Sequence, residues 1–293
     1  MFVYLRMVRP ANVVTSVADV LAGAAISGAF SASQFTVAWP GILLLSISTA
    51  CLYSGGIVFN DVFDLKIDKI ERPERPIPSG KSTVNGAITL GTLLFVVGIS
   101  SAYMISPLSG ALAIIIMGLA LFYNKFSKHH TFLGPINMGI CRGLNLLLGM
   151  SLLFNCIAER WFIALIPVIY ISSITMISRG EVHGRNVHLL KKGGFLYLLV
   201  IIIITLLGIF NDFNLLSFLP FIILFISLIF PPLLRAIKQN HPKNIKHAVK
   251  TGILSLIPLN ASIASGFAGW QYGLIVLALL PLSIVIAKKF AVT

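Results

Sequence analysis

The chain is dominated by long apolar runs that are separated by short polar segments. Ten of these runs approach or reach the roughly 20 residues that an α-helix needs to cross the hydrocarbon core of a bilayer. None alternates between apolar and polar positions as a barrel strand does, so each run predicts a membrane helix that satisfies its own backbone hydrogen bonds. The ten predicted segments are residues 11–30, 40–60, 84–105, 107–124, 133–154, 161–178, 194–210, 214–234, 249–268 and 271–288.

The composition agrees with an all-α, polytopic membrane helix bundle. Of the 293 residues, 57% are hydrophobic and 11% are charged, whereas an ordinary soluble domain has about 25% charged residues. No hydrophilic block is long enough for a separate soluble domain, so residues 1–293 are predicted to form a single integral membrane domain. The N-terminal residues lack a clean cleavage site and are interpreted as mature chain.

The formal net charge of +13 is explained by basic loops on one side of the membrane and does not indicate a nucleic-acid-binding protein. With ten crossings, every Lys and Arg except Arg142 and Arg160 falls on one side of the membrane. Basic residues are enriched in cytoplasmic loops, so this side is predicted to face the cytoplasm. Nine crossings would place Lys288 and Lys289 on the opposite side, which favours ten.

The most informative polar segment begins where the second apolar run ends. If the helix continues, Asn60, Asp64 and Asp68 follow at intervals of four residues and lie close to one helix face. Asp61 can flank that face. Mg²⁺ prefers hard oxygen donors of this kind together with phosphate oxygens. These four residues are therefore the predicted metal ligands.

Cationic side chains follow the acidic row. Arg72, Arg75 and Lys81 carry guanidinium and ammonium groups that suit the non-bridging oxygens of a diphosphate. Three prolines between positions 73 and 78 give the loop a rigid, non-helical path, which a loop that is merely solvated does not need. The alternative is that these charges only cap a membrane helix and keep the loop in water.

Ionisable and amide side chains also lie inside predicted membrane helices. Asp19 is in the first helix, and Arg142 and Asn145 are in the fifth. An ionisable residue in the membrane is costly and by default indicates function. Arg142 needs a carboxylate or an anionic ligand as its partner, whereas a site role and a hydrogen bond within the bundle are both open for Asp19.

The segment NDVFDLKIDKIERPERPIPSG resembles the first signature of the UbiA superfamily of intramembrane prenyltransferases, NDxxDxxxD followed by an RPxRPIPSG-like loop. The resemblance implies nine to ten helices around a central cavity, where Mg²⁺ and basic residues bind the diphosphate of an isoprenyl donor. Arg9 and Asn12 are similar to the arginine and asparagine at the start of the superfamily's first helix. The loop after the fourth helix adds candidates that border the diphosphate, although a basic loop that only follows topology is the alternative for each. These candidates are Tyr123, Lys125 and Lys128.

Members of the superfamily carry a second acidic signature, DxxxD, after the sixth helix. The matching stretch here, SRGEVHGRN, keeps one carboxylate, Glu181. His183 is able to ligate metal or move a proton, and Arg179 and Arg185 bring positive charge that can neutralise part of a diphosphate. An ion pair between Glu181 and Arg185 in a solvated loop is the alternative.

The SRGEVHG string and the C-terminal AKKFAVT resemble a divergent bacterial branch of the superfamily, the UbiA-like EboC proteins. This branch is linked to export of secondary metabolites. The resemblance implies a bacterial cell membrane, with the active-site loops on the cytoplasmic side, and leaves the acceptor open.

These features predict a Mg²⁺-dependent prenyltransferase that moves an isoprenyl group from an isoprenyl diphosphate to a small-molecule or lipid acceptor, which is aromatic, a glycerol phosphate or a polyol. The alternative is a non-catalytic member that binds a lipid phosphate and assists export. A secondary transporter is disfavoured because the ionisable residues cluster at helix ends and not near the middle of the membrane.

Membrane lipids are expected partners, nucleic acid is not, and the oligomeric state is open. The predicted catalytic residues are Asn60, Asp64, Asp68 and Glu181, and the predicted substrate-binding residues are Arg9, Asn12, Arg72, Arg75, Lys81, Tyr123, Lys125, Lys128, Arg142, Arg179 and His183.

Overall fold

A computed structural model describes residues 2–30, 35–128, 130–179, 187–209 and 213–290. All regular elements in these ranges are helices, so the prediction of an all-α fold is confirmed. The elements are α1 (Phe2–Met7), α2 (Pro10–Ile26), α3 (Phe35–Phe63), α4 (Leu65–Glu71), α5 (Val84–Tyr103), α6 (Pro107–Phe122), α7 (Leu133–Met150), α8 (Phe154–Arg160), α9 (Leu165–Ser178), α10 (Val187–Leu206), α11 (Leu215–Lys238), α12 (Pro242–Leu254), α13 (Leu256–Ala268), α14 (Trp270–Leu277) and α15 (Leu279–Phe290), with a π-helical turn at Tyr123–Ser127 and 3-10 turns at Trp161–Ala164 and Leu207–Ile209.

Ten helical segments lie where the sequence predicts membrane crossings. Eight of those in the described part of the chain are long and apolar enough to cross a bilayer. The other two are α2, which is apolar but has only 17 residues, and α7, whose 18 residues include Asn137, Arg142 and Asn145. Two boundaries differ by seven residues, because the predicted segment 194–210 begins earlier, at Val187, and the predicted segment 249–268 begins earlier, at Pro242. In the second of these, the first turns bury Ile245 and Ala248 while the lysines stay exposed, so the helix extends beyond the apolar run.

The short helix α2 lies at the centre of the bundle. It contacts α3, α7, α13 and α15, and most of its residues from Thr15 to Ile26 are buried. At 1.5 Å per residue, 17 residues cover roughly 26 Å, slightly less than the hydrocarbon core. The polar side chains of Thr15, Ser16 and Asp19 are buried, so they face protein and not lipid.

Glycines allow α2 and α7 to approach each other closely. A Cβ atom added at Gly23 would lie 2.2 Å from the carbonyl oxygen of Leu146, and one added at Gly149 would lie 2.2 Å from that of Val20. Small residues at such crossings are typical of membrane helix packing. The close crossing brings polar residues of the two helices within hydrogen-bonding distance.

We expect Gly149→Ala to lower the melting temperature of the detergent-solubilised protein, because its methyl group would force the two helix backbones apart. Overpacking of this kind typically costs about 1–3 kcal/mol. Gly118→Ala is the matched control, since Gly118 is also in a membrane helix and an added Cβ has no atom within 4 Å. Equal melting temperatures for the two variants would contradict the close crossing.

Candidate functional site

The acidic row keeps its helical register across a break between α3 and α4. Asp64 lies between the two helices with φ −81° and ψ 0°. Its N–H donates to the Asn60 carbonyl at 2.9 Å, and the N–H of Asp68 donates to the Asp64 carbonyl at 2.8 Å. Because these four-residue hydrogen bonds persist, the three polar side chains stay on one side of the chain. All three line the same cavity.

This cavity has a volume of about 680 Å³ and is enclosed by α2, α3, α4, α6, α7, α9 and α12. Acidic and basic residues surround its mouth, and apolar residues form much of its wall. The lining residues are Arg9, Asn12, Thr49, Leu52, Tyr53, Gly56, Ile57, Asn60, Asp64, Ile67, Asp68, Glu71, Arg72, Arg75, Ile116, Ala120, Tyr123, Asn124, Lys128, Met138, Cys141, Arg142, Asn145, Ser178 and Ile253.

Each carboxylate of the row is paired with a cation. Nη1 of Arg75 lies 2.6 Å from Oδ2 of Asp68 and 3.2 Å from Oδ1 of Asp61. Asp61 also accepts a hydrogen bond from Nη2 of Arg9 at 2.7 Å. Lys128 forms an ion pair with Asp64. The mouth therefore holds opposite charges in contact, and an anionic ligand can attract the cations away from the carboxylates.

Asp61 differs from its neighbours in position. It is buried, and it is not among the residues that line the cavity. Its two arginine partners come from the start of α2 and from the loop after α4. In this structure Asp61 anchors both cations, whereas Asn60, Asp64 and Asp68 face the cavity.

The loop after α4 folds so that its arginines return to the acidic row. The N–H of Ser82 donates to the Pro76 carbonyl at 2.9 Å, and Gly80 has a φ of +73°, which glycine adopts without steric cost. Ile77 is buried in a small apolar cluster that includes Val58 of α3. This anchor turns the half-buried Arg75 towards the acidic residues and leaves Arg72 at the edge of the cavity.

Arg9 has a strained backbone at the mouth. Its φ of 46° and ψ of 65° place it in the left-handed region immediately before Pro10, and it is the only non-glycine residue with positive φ in the described part of the chain. Such conformations persist where surrounding contacts impose them and are common at functional sites. The ion pair with Asp61 supplies one such contact, and Asn12 lines the cavity one turn further along α2.

Arg142 has a carboxylate partner. Its Nη1 donates to Oδ2 of Asp19 at 2.8 Å, and its Nη2 donates to Oγ1 of Thr15 at 2.7 Å. Oδ1 of Asp19 accepts from Nδ2 of Asn260 at 2.7 Å. Of the two partners open for Arg142 from the sequence, a carboxylate and an anionic ligand, the structure provides the carboxylate.

The remaining predicted residues are divided between the cavity and the surface. Tyr123 and Lys128 line the cavity, whereas the exposed Lys125 lies over the ring of Phe126, 5.1 Å from its centroid. Among the described residues Lys81 is exposed and outside the lining. Nη2 of Arg179 donates to the His130 carbonyl at 2.7 Å. Glu181, His183 and Arg185 lie outside the described residues.

Some residues in or behind the cavity wall were not singled out from the sequence. Asn124 donates to the Gly56 carbonyl at 2.8 Å and accepts from Nδ2 of Asn60 at 3.0 Å, so it ties the end of α6 to α3. Asn260 is an amide within an apolar run, a signal that is visible in the sequence. Thr49 and Tyr53 are ordinary membrane-helix residues, and only their position identifies them.

The donor set at the mouth fits Mg²⁺ when phosphate oxygens complete it. Asn60, Asp64 and Asp68 offer amide and carboxylate oxygens, which are the hard donors this ion prefers. Among the described residues, no group of three or more His, Cys, Asp or Glu is close enough to hold a metal by itself. The three donors of the mouth would supply part of the coordination shell of Mg²⁺, and phosphate oxygens of a ligand would suit the remainder.

The chain is similar to a family of known proteins over most of its length. The UbiA prenyltransferase family matches residues 20–251. The digeranylgeranylglyceryl phosphate synthase of Saccharolobus solfataricus is 29% identical over 241 residues, which are 76% of this chain and 83% of that protein. The protein of the same name from Ignicoccus hospitalis is 30% identical over 192 residues, 65% of this chain and 61% of that one.

Solved structures share the fold at low sequence identity. One of these structures is described as “Structural and mechanistic insights into the biosynthesis of Digeranylgeranylglyceryl phosphate synthase in membranes”. It has a TM-score of 0.69 at 22% identity, and the match covers 91% of this chain and 98% of that one. A UbiA homolog from Archaeoglobus fulgidus bound to GPP and Mg²⁺ has a TM-score of 0.55 at 13% identity and covers 94% of this chain and 99% of that one. The resemblance to the EboC branch stays a prediction.

Proposed function

The chain belongs to the UbiA prenyltransferase family, and we propose that it transfers an isoprenyl group from an isoprenyl diphosphate to the glycerol phosphate head group of a lipid, with Mg²⁺ as cofactor. The sequence prediction of a membrane prenyltransferase is confirmed by the family match and the named relatives. The observation that carries the proposal is the cavity mouth, where the polar row of α3 and α4 faces Arg72, Arg75 and Lys128.

The mouth is suited to a diphosphate leaving group. Asn60, Asp64 and Asp68 would hold Mg²⁺, which supplies neutralisation of the negative charge that develops as the carbon–oxygen bond breaks. Arg75 and Lys128 already lie against these carboxylates and can turn to the phosphate oxygens. Preorganised charges of this kind stabilise a transition state because they need little rearrangement.

Below the mouth, the cavity suits the isoprenyl chain. Its wall includes Leu52, Ile116, Ala120, Met138 and Ile253. These side chains would exclude water from the allylic cation that ionisation of the donor produces. Exclusion of water favours attack by the acceptor over hydrolysis.

The glycerol phosphate acceptor is proposed from the relatives. Digeranylgeranylglyceryl phosphate synthases are named for a product with two isoprenyl groups on one glyceryl phosphate. Addition of an isoprenyl group to a glyceryl phosphate lipid that already carries one would give such a product. Of the three acceptor classes predicted from the sequence, glycerol phosphate alone has this support, and the alternative role in export has none.

We also propose that the predicted site residues act in this reaction, that residues 1–293 form a single membrane domain, and that the chain has the membrane orientation predicted from the sequence. The protein is an integral membrane protein, and the cavity mouth lies on the side that carries most of the basic residues. The positive-inside rule would place this mouth at the cytoplasmic surface.

The function is tested with purified protein in phospholipid nanodiscs, supplied with Mg²⁺, labelled geranylgeranyl diphosphate and geranylgeranylglyceryl phosphate. We expect a labelled lipid with two isoprenyl groups and one pyrophosphate for each lipid formed. Parallel reactions with 4-hydroxybenzoate or glycerol in place of the lipid serve as controls for the acceptor class. Turnover only with 4-hydroxybenzoate or glycerol would overturn the acceptor, and no turnover under any condition would overturn the transferase assignment for these donors.

A further inference from the structure

The side-chain amide of Asn60 can lie in two orientations, and only one of them offers its oxygen to a metal beside Asp64. The oxygen of an amide accepts hydrogen bonds and binds cations, whereas its nitrogen only donates. The hydrogen bonds around the group therefore decide whether Asn60 acts as a ligand. A second amide, that of Asn124, contacts Asn60 directly and bears on this choice.

Asn124 is fixed by the backbone of α3. Its Nδ2 donates to the carbonyl oxygen of Gly56 at 2.8 Å. A backbone carbonyl has two lone pairs, so Gly56 can accept this bond as well as the one from the helix N–H four residues later. Because a carbonyl oxygen cannot donate, Asn124 must keep its nitrogen on Gly56. Its own oxygen then faces Asn60.

The oxygen of Asn124 in turn selects the nitrogen of Asn60. Nδ2 of Asn60 donates to Oδ1 of Asn124 at 3.0 Å. In this orientation Oδ1 of Asn60 lies 3.3 Å from Oδ2 of Asp64. Two adjacent oxygens that share an octahedral Mg²⁺, each about 2.1 Å from the ion, lie roughly 3 Å apart. The pair formed by Asn60 and Asp64 is close to that separation, so this orientation suits a shared cation.

The opposite orientation of Asn60 creates a conflict with Asn124. The nitrogen of Asn60 would donate to Asp64 at 3.3 Å, and its oxygen would accept from Nζ of Lys128 at 3.1 Å. That oxygen would also face Oδ1 of Asn124 at 3.0 Å, with no hydrogen between the two acceptors. Turning Asn124 as well would move the conflict to the carbonyl of Gly56, 2.8 Å away. Asn124 therefore opposes the orientation in which Asn60 turns its oxygen away from Asp64.

From these contacts we infer that Asn124 is a positioning residue, which holds the oxygen of Asn60 beside that of Asp64 as a ligand for Mg²⁺. The inference rests on the proposed function for the metal and the diphosphate. Asn124 belongs to the π-helical turn Tyr123–Ser127, and such turns are frequent at functional sites. Residues that orient metal ligands typically contribute about 10–100-fold to metal affinity or activity.

The test measures metal-dependent binding without turnover. Protein in nanodiscs is mixed with a labelled thio analogue of geranylgeranyl diphosphate, in which sulfur replaces the bridging oxygen and ionisation is very slow. The Mg²⁺ concentration for half-maximal binding of the analogue is then determined. We expect Asn124→Leu, which removes both hydrogen bonds at similar side-chain volume, to raise this concentration by about 10–100-fold. At saturating Mg²⁺ its rate of isoprenyl transfer should approach that of the wild type, because the ligands themselves are unchanged.

An Asn60→Asp background separates positioning from a general structural effect. Both outer atoms of a carboxylate are oxygens, so Asp at this position needs no partner to select the correct one. Asn124→Leu should therefore raise the half-maximal Mg²⁺ concentration when Asn60 is present and leave it unchanged in the Asn60→Asp background, a coupling that a double-mutant cycle measures. A loosened contact between α3 and the turn would raise it in both backgrounds. Equal increases would overturn the inference.

Asn137→Leu is the matched control. Asn137 is a buried amide outside the cavity lining, and it donates to the Leu119 carbonyl at 3.3 Å and to Oγ of Ser127 at 2.9 Å. These hydrogen bonds support the same turn, and neither involves Asn60. We expect the half-maximal Mg²⁺ concentration of this variant to equal that of the wild type. An increase as large as that of Asn124→Leu would also overturn the inference.

A second variant keeps the test decisive if Asn124→Leu does not fold, as judged by its size-exclusion profile and melting temperature. Asn124→Ala then replaces it, with the same expectations. An unchanged half-maximal Mg²⁺ concentration in the folded variant would contradict positioning by Asn124. No Mg²⁺-dependent binding of the analogue by the wild-type protein would overturn the proposed function and the inference together, whereas normal binding and transfer by the wild type with unaffected Asn124 variants overturns only the inference.

Discussion

Asp64→Asn is expected to lower the rate of isoprenyl transfer by about 10²–10³-fold, the loss typical of removing one preorganised electrostatic group from an active site. Asp64 is buried at the mouth, lines the cavity and is paired with Lys128. The substitution keeps the size of the side chain and removes its negative charge. The remaining donors would hold Mg²⁺ less strongly, so the Mg²⁺ concentration for half-maximal activity should also rise.

The measurement is pyrophosphate release at saturating donor and acceptor over a range of Mg²⁺ concentrations. Glu74→Gln is the matched control, because Glu74 is an exposed carboxylate in the loop after α4 and does not line the cavity. It should behave as the wild type. A Glu74→Gln rate as low as that of Asp64→Asn would indicate a general effect of acidic charge, and an Asp64→Asn rate above about half of the wild-type rate would contradict a role for the acidic row.

Arg75→Gln is expected to impair both stability and donor binding. The Arg75 guanidinium is shared by Asp61 and Asp68, and its side chain is 13% exposed. Removal of one partner from a buried ion pair typically costs about 3–5 kcal/mol, because the remaining charge is left uncompensated. Arg9 still pairs with Asp61, so Asp68 loses the partner that the structure gives it. The diphosphate would also lose one of its proposed contacts.

Arg72→Gln provides the comparison that separates the two effects of Arg75. Arg72 is exposed at the edge of the cavity and forms no ion pair among the described residues. We expect Arg72→Gln to raise the donor KM while the melting temperature stays at the wild-type value. Arg75→Gln should change both quantities. A normal melting temperature for Arg75→Gln would show that the bridge between Asp61 and Asp68 does not stabilise the fold.

Local periodicity explains why much of the site was predictable. Asn60, Asp64 and Asp68 are four residues apart, and a helical backbone places such residues together whatever the rest of the chain does. The one-residue break at Asp64 leaves this spacing intact because the backbone hydrogen bonds on either side continue. The membrane segments were predictable for a similar reason, since within the bilayer each apolar run must form its backbone hydrogen bonds internally, as a helix does.

Two nearby basic residues show what the spacing of residues along the chain does not predict. Lys125 and Lys128 are three residues apart in the same loop, yet only Lys128 reaches the cavity, and Lys125 lies over Phe126 at the surface. The π-helical turn that begins at Tyr123 sets this difference. Which of two similar cations faces a site depends on backbone geometry that composition and spacing do not specify.

The sequence by itself determined that the chain is a membrane bundle with an acidic row and a basic loop at one end, because these properties depend on neighbouring residues and on the solvent. Tertiary structure alone decided that Asp19 pairs with Arg142, 123 residues away, and that Asn260 completes the network from α13. Both contacts depend on the close crossing of α2 with α7 and on the position of α13 against α2. A buried charge requires a partner, but only packing decides which partner is within reach.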